Sequence, residues 1–139
     1  MRRESENTQP EFTFDDNPMV VAEDLQGAII LHENQRFIVK EVRGYKREDI
    51  KNKHFNSAQE ATVGIATGSP YRGTTLINIS TGDLGLVMPI SLIEISPSGQ
   101  NSEIIGPGHV AKALGIGNND KVRLVIEDPY SKVLRISTI

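Results

Sequence analysis

The sequence of 139 residues contains no cysteine and no long apolar segment. Without cysteine, the chain has neither disulfides nor thiolate metal ligands. Because no run of eighteen apolar residues occurs, we expect no membrane-spanning helix and no membrane partner. The first residues include Arg2 and Arg3 but lack the apolar stretch of a secretory signal, so we expect a soluble cytoplasmic protein. A chain of this length corresponds to about one domain, or to two very small ones that share a core.

Signatures of catalysis and of metal binding are also missing. Histidine occurs at three distant positions, His32, His54 and His109, and none has a histidine or carboxylate partner at helical spacing. The HExxH, GxSxG and Walker patterns do not occur. Adjacent acids at 15–16 and 23–24 would face opposite ways on a strand and would not form the convergent pair that acid–base catalysis needs. We therefore expect no catalytic residues, no metal site and no cofactor, and we interpret the chain as a non-enzyme.

Charge is distributed unevenly along the chain. The net charge of −3 argues against non-specific nucleic-acid binding, which requires a positive excess to neutralise phosphates. Residues 1–34 hold two basic and eight acidic side chains, residues 35–60 hold seven and four, and residues 61–139 hold six of each. The chain is therefore acidic at its start and basic in one short stretch.

The basic stretch is a candidate nucleic-acid-binding segment. Lysine and arginine at this density, interleaved with Tyr45 and Phe55, are typical of a loop that tracks phosphates and stacks bases. An ordinary solvated loop, in which four acids dilute the charge, is the alternative interpretation. The candidate residues are Arg36, Lys40, Arg43, Lys46, Arg47, Lys51, Lys53 and Arg72.

Local patterns predict a chain made mainly of strands. Residues 1–18 are predicted to be a flexible acidic tail, in which Phe12 and Phe14 are either chance apolar residues or a short docking strand for a neighbouring subunit. A strand is expected to end at Gly44, before a long polar loop at 45–61. A helix is expected to begin at Pro107 and to end at Gly115. Strands are expected at 19–25, 27–33, 36–42, 61–66, 75–80, 84–88, 90–95, 104–105, 122–126 and 133–136, with turns at 118–120 and 128–131.

Residues 27–95 resemble a small SH3-like barrel. The resemblance rests on a strand at 36–42, a long loop, a strand at 75–79 and the stretch 82–93, GDLGLVMPISLI, which is similar to the closing hairpin of SH3 domains. Leu86 stands where that family has an aromatic residue, so the resemblance does not imply binding of proline-rich peptides. Barrels of this kind serve as contact modules for nucleic acids and for proteins.

Residues 103–136 resemble the swapped-hairpin module of the AbrB and MazE type. In that family two copies interlock as a dimer and present basic residues to DNA. The helix here offers only Lys112 and the preceding strand offers Glu103, so the resemblance implies the fold and a homodimer more strongly than DNA binding. Double-psi barrels share a similar pattern, and an ordinary β-α-β-β packing unit is the alternative. The shared positions are Ile105, Pro107, Val110, Leu114, Gly115, Ile116, Asp120, Val122, Leu124 and Leu134.

Together these patterns predict a mainly β protein with a disordered or arm-like N-terminus, an SH3-like barrel at 19–96, a linker at 97–102 and an AbrB-like β-α-β-β module at 103–139. The first functional hypothesis is a non-catalytic, dimeric, nucleic-acid-associated regulator of transcription that contacts phosphates through the basic loop. The second is a protein-interaction or assembly module, such as an inhibitor of a host enzyme or a virion component, that uses its acidic tail and sheet edges. The net charge favours the second hypothesis, whereas the basic stretch and the AbrB-like pattern favour the first.

Overall fold

The computed structural model describes residues 11–49, 61–68, 71–116 and 122–138. Over these ranges the chain is mainly β, which confirms the predicted fold class. Two helices accompany the strands, α1 (Pro18–Leu25) and α2 (Pro107–Leu114), with 3-10 turns at Arg47–Asp49 and Gly82–Leu84. The strands are β1 (Ile29–His32), β2 (Gln35–Lys46), β3 (Thr62–Gly68), β4 (Tyr71–Ser80), β5 (Gly85–Ile95), β6 (Asn101–Ile105), β7 (Val122–Asp128) and β8 (Val133–Thr138).

In the described ranges, eight strands form one curled, mixed sheet in the order β2-β1-β8-β7-β3-β4-β5-β6. β2 also pairs with β5 over most of its length, and this extra pairing closes the sheet into a barrel-like ring. β1 and β8 run parallel, which joins the start of the described chain to its end. β4 pairs with the first half of β5 and β6 with the second half, so β6 lies outside the ring.

One core fills this ring and draws on the whole described chain. Phe37, Leu92, Val110 and Leu134 come from four different elements, and each is fully buried. Burial of an aliphatic or aromatic side chain of this size contributes about 1.5–3 kcal/mol. Residues of the predicted barrel and of the predicted C-terminal module belong to the same core cluster. The two predicted domains therefore share a sheet and a core.

The segment predicted as a linker at 97–102 forms part of a hairpin. Its turn is held by the N–H of Ser96, which donates to the carbonyl of Gln100 at 3.1 Å. β6 then begins at Asn101, three residues before the strand predicted at 104–105, because the ladder with β5 includes polar residues that show no apolar alternation.

Residues 18–25 form helix α1, which corrects the strand predicted at 19–25. The Oδ1 atom of Asn17 accepts the N–H of Met19 at 2.9 Å and caps the helix, and Pro18 occupies its first turn. Pro18, Val21 and Leu25 recur at helical spacing and are buried. The local β-branched run indicated a strand, but the cap and this spacing specify a helix.

The amino-terminal arm, residues 11–17, packs against the barrel. Phe12 and Phe14 are 5% and 2% exposed, and their rings meet edge to face with centroids 4.9 Å apart. The N–H of Phe12 donates to the carbonyl of Pro129 at 2.9 Å. Residues 11–17 therefore form an arm, one of the two forms expected of the N-terminus, and the two phenylalanines are core residues of their own chain. Residues 1–10 lie outside the described ranges.

Strand β2 continues past Gly44, where the sequence predicts an end. A Cβ atom at Gly44 would lie 2.5 Å from the carbonyl oxygen of Pro18, so this glycine allows α1 to approach the strand and does not form a turn. The predicted loop at 45–61 therefore begins later than expected, with the 3-10 turn Arg47–Asp49.

The C-terminal elements agree closely with prediction. Helix α2 has the expected bounds, and Gly115 ends it in the left-handed conformation, with a φ of 70°. The hairpin turn predicted at 128–131 joins β7 to β8. The turn predicted at 118–120 lies outside the described residues.

Candidate functional site

Strand β2 carries four of the eight predicted cationic residues along a half-exposed surface. In its first half, Phe37 and Val39 face the core, whereas Arg36 and Lys40 are exposed. A bulge at Lys40 shifts the register against β5, and beyond it Val42 packs against the core while Arg43 is exposed. The bulge therefore keeps the cations accessible on both halves of the strand. They are Arg36, Lys40, Arg43 and Lys46.

Two of the predicted cations are already paired with acids from other strands or turns. The Nζ atom of Lys40 lies 3.4 Å from Oε2 of Glu103 on β6, and Nη1 of Arg47 lies 3.7 Å from Oδ1 of Asp83. Exposed pairs of this kind contribute only about 0–1 kcal/mol to stability. Their more important effect is that they reduce the positive potential which the sequence alone suggests.

Arg36, Arg43 and Lys46 form no ion pair with any other described residue. Acidic side chains nevertheless accompany them, Glu41 on the same strand and Glu103 beside Lys40. This surface therefore has mixed charge and is not a continuous basic track.

Three candidate residues remain, Lys51, Lys53 and Arg72. Lys51 and Lys53 lie outside the described residues. Arg72 lies on β4, which pairs with β3 and β5 and has no described pairing with β2. The structure thus places five of the eight candidate residues along β2 and the turn after it.

A second surface, which the sequence analysis does not resolve to residues, is the open edge of β6. The N–H of Gly106 donates to the carbonyl of Ile90 at 2.9 Å, so the hydrogen-bonded pairs with β5 involve the even-numbered residues of β6. The backbone N–H and C=O groups of Asn101, Glu103 and Ile105 consequently point away from the sheet. No described strand pairs with them. We call these three residues the β6 edge.

A groove of about 440 Å³ lies between the β6 edge and helix α2. Ile104, Ile105 and Ala113 supply its apolar lining, and Ile105 is 65% exposed. Its polar lining consists of Glu94, Glu103, His109 and Lys112. Sequence analysis missed this site because β6 is short and polar. The apolar pair Ile104-Ile105 before Pro107 was the local signal in the sequence.

Within the described ranges, no group of three histidine, cysteine or acidic side chains is arranged to hold a metal ion. In the same part of the chain, no helix has the length and apolar character needed to cross a membrane.

Comparison with known proteins identifies no relative, since no family model, no curated protein and no solved structure matches this chain. The SH3-like and AbrB-like resemblances therefore remain hypotheses that rest on the residues themselves. In the AbrB-like pattern, Val110, Leu114, Ile116 and Leu124 are buried, whereas Ile105 is exposed. Most of its described apolar positions thus serve packing, and Ile105 remains available for contact.

Proposed function

We propose that this protein is a non-catalytic binding module whose partner is another protein, contacted at an edge of its sheet. The observation that carries the proposal is the β6 edge, where three residues direct their backbone groups outward beside a partly apolar groove. Exposed edges of this kind take up extended segments of other chains. Proteins usually protect such an edge with charges, proline or a cover, and the described β6 edge carries one charged side chain, Glu103.

The charge distribution supports a protein partner over a nucleic acid. Nucleic-acid binding depends on neutralising phosphates with unpaired cations. Here the net charge is −3, and Lys40 and Arg47 already face carboxylates.

A nucleic-acid-associated regulator is the second candidate, and Arg36, Arg43 and Lys46 favour it because they are exposed and lack ion pairs within the described chain. Under this hypothesis the AbrB-like module would pair two copies, and the cations of β2 would contact phosphates together with Lys51 and Lys53.

The two candidates predict different partners for the purified protein. In one arm, in vivo cross-linking identifies bound proteins, and each complex is then reconstituted from purified components. In the other arm, fluorescence anisotropy measures binding to short random-sequence DNA duplexes and single-stranded RNA over a salt series. We expect a reconstituted protein complex and no nucleic-acid binding at low salt. Tight, salt-sensitive nucleic-acid binding with no reconstituted protein complex would overturn the proposal.

Charge reversal on β2 separates the candidates further. The combined change of Arg36, Arg43 and Lys46 to Glu should leave the protein complex intact. If nucleic acid is the partner, the same variant should lose about tenfold or more in affinity and show a shallower salt slope. Arg123→Glu is the matched control, because Arg123 is an exposed arginine on β7 outside the basic surface.

A further inference from the structure

We infer that the β6 edge binds an extended segment of the partner protein as an added strand, with a basic side chain opposite Glu103 and an apolar side chain opposite Ile105. The inference rests on the proposed function and names the chemical class of the segment that the site recognises.

The backbone of β6 defines the binding mode. Asn101, Glu103 and Ile105 each direct one N–H and one C=O away from β5, so an incoming strand can continue the ladder at three successive positions. In such an arrangement the main chain supplies affinity, and the alternating side chains supply specificity.

The outer face of the edge selects for charge. Glu103 and Ile105 are two residues apart, so they lie on the same face of β6. The Oε2 atom of Glu103 faces Lys40 at 3.4 Å, while its Oε1 atom has no partner among the described residues. An arginine or lysine opposite Glu103 completes the pairing of this carboxylate, and an apolar neighbour covers the exposed Ile105.

The inner face of the edge selects for an apolar side chain. Ile104 faces the core side and forms the floor of the groove with Ala113 of α2. The residue of the incoming strand that lies between the basic and the apolar positions points into this groove. The recognised segment therefore has a basic residue followed or preceded by two successive apolar residues, and the first of these, next to the basic residue, lies on the face toward α2.

A second copy of this chain fits the same edge poorly. The symmetric antiparallel pairing of two β6 strands that uses all five residues places Glu103 opposite its own copy, because Glu103 is the central residue. Like charges directly opposite each other destabilise a strand pair. A different protein with a basic segment is the occupant that this edge favours.

Selection from a phage-displayed library of random linear peptides on the full chain tests the inference. The enriched peptides should share a basic residue directly beside two successive apolar residues. Glu103→Lys should weaken their binding about tenfold or more and shift the selection toward acidic peptides. The backbone N–H of Asn101 points outward and makes no ladder bond to β5. Asn101→Pro removes this N–H, so it should lower the affinity for the same peptides about tenfold and leave the thermal unfolding temperature unchanged. Glu33→Lys, an exposed change in the β1–β2 turn, is the matched control and should have no effect.

Amide hydrogen exchange supplies a readout that is independent of these variants. In the free monomer the amides of Asn101, Glu103 and Ile105 should exchange quickly, and the selected peptide should protect them. Protection already present in the free monomer would show that another part of the chain covers the edge. Protection that grows with protein concentration would show that a second copy of the chain binds there. Either result would overturn the inference. Selected peptides that bind both variants with unchanged affinity also overturn it, while a reconstituted protein complex would leave the proposed function standing.

Discussion

Two glycines show how single residues set the distance between elements. A Cβ at Gly44 would meet the carbonyl of Pro18 at the start of α1, and a Cβ at Gly85 would meet the carbonyl of Tyr45. Both contacts are with backbone, which cannot rotate away as a side chain can. A larger residue at Gly44 would therefore increase the distance between β2 and α1, and a larger residue at Gly85 would increase the distance between β2 and β5.

Gly44→Ala should lower the free energy of unfolding by about 1–3 kcal/mol, because overpacking forces α1 away from β2. Urea unfolding followed by circular dichroism measures the change. Gly99→Asn is the control, since Gly99 has open space around it and a φ of 87°, which asparagine tolerates. Equal stability of the Gly44 variant and the wild type would contradict the packing argument.

Asp128 is the residue at which pH should act on stability. Backbone N–H groups of Ser131 and Tyr130 donate to its carboxylate at 3.1 and 3.0 Å and lower its pKa below the usual 3.8. A lowered folded-state pKa contributes stability that is present above pH 3.8 and is lost as the pH falls through the folded-state value.

Asp128→Ala should therefore reduce stability at neutral pH and flatten its decline below pH 3.8. Urea midpoints measured from neutral to acidic pH provide the comparison. Asp24→Ala removes an exposed carboxylate that has no hydrogen bond to a described residue, and it should keep the wild-type profile. If the pH profile of the Asp128 variant differs from that of the wild type only by a constant offset, protonation of Asp128 does not control the loss of stability in acid.

At the scale of elements, the amino-terminal arm closes part of the core. Phe12 and Phe14 insert together, and Tyr130 donates its hydroxyl hydrogen to Oε1 of Glu11 at 2.9 Å beside them. This hydrogen bond to a carboxylate raises the pKa of Tyr130. The arm is therefore anchored by aromatic burial, and its exposed polar contact plays a smaller role.

Phe14→Ala should cost about 3–5 kcal/mol, because it leaves a cavity where a fully buried ring packed. Equilibrium denaturation gives the value, and Thr13→Ser, a conservative change at the exposed position between the two rings, should stay near wild type. A loss no larger than that of Thr13→Ser would mean that the arm does not contribute to the core.

The cap of α1 makes a separate prediction. Asn17→Ala should lower the free energy of unfolding by about 1 kcal/mol, because the N–H of Met19 loses its acceptor, whereas Asn17→Asp retains an acceptor and should be nearly neutral. Chemical denaturation of the two variants side by side measures the difference. Similar losses of stability in both variants would show that stability depends on the amide group of Asn17 and not on the hydrogen bond that caps the helix.

At the scale of the whole molecule, ring closure couples distant parts of the chain. β8 pairs in parallel with β1, β1 pairs with β2, and β2 pairs with β5. Leu134 of β8 and Phe37 of β2 belong to the same core cluster. A perturbation at one end of the chain should therefore reach the other.

Leu134→Ala should lower global stability by about 2–5 kcal/mol and should lower the exchange protection of β2 and β8 by the same amount. Hydrogen exchange read by mass spectrometry on peptides from both strands distinguishes the outcomes. A loss of protection confined to residues 103–138 would instead support two separately stable domains, as the division at 97–102 predicts.

The sequence by itself determined the features that depend on neighbouring residues. The mainly β class follows from β-branched runs. The bounds of α2 follow from Pro107 and from Gly115, because glycine adopts the left-handed conformation of a helix cap without strain. The turn at 128–131 follows from the side chain of Asp128, which binds its own local backbone. The position of Arg36 and Lys40 on β2 was also local information, because both lie in the strand expected at 36–42.

Only the tertiary structure decided which side chains meet across the chain. The burial of Phe12, the place of Gly44 inside a strand and the pairing of Lys40 with Glu103, 63 positions later, all depend on contacts that no short window contains. The open β6 edge depends on such contacts too, because a strand is an edge only when no further strand pairs with its outer side. The physical reason is that turn and cap chemistry acts within a few residues, whereas sheet order and charge neutralisation arise only when distant segments pack together.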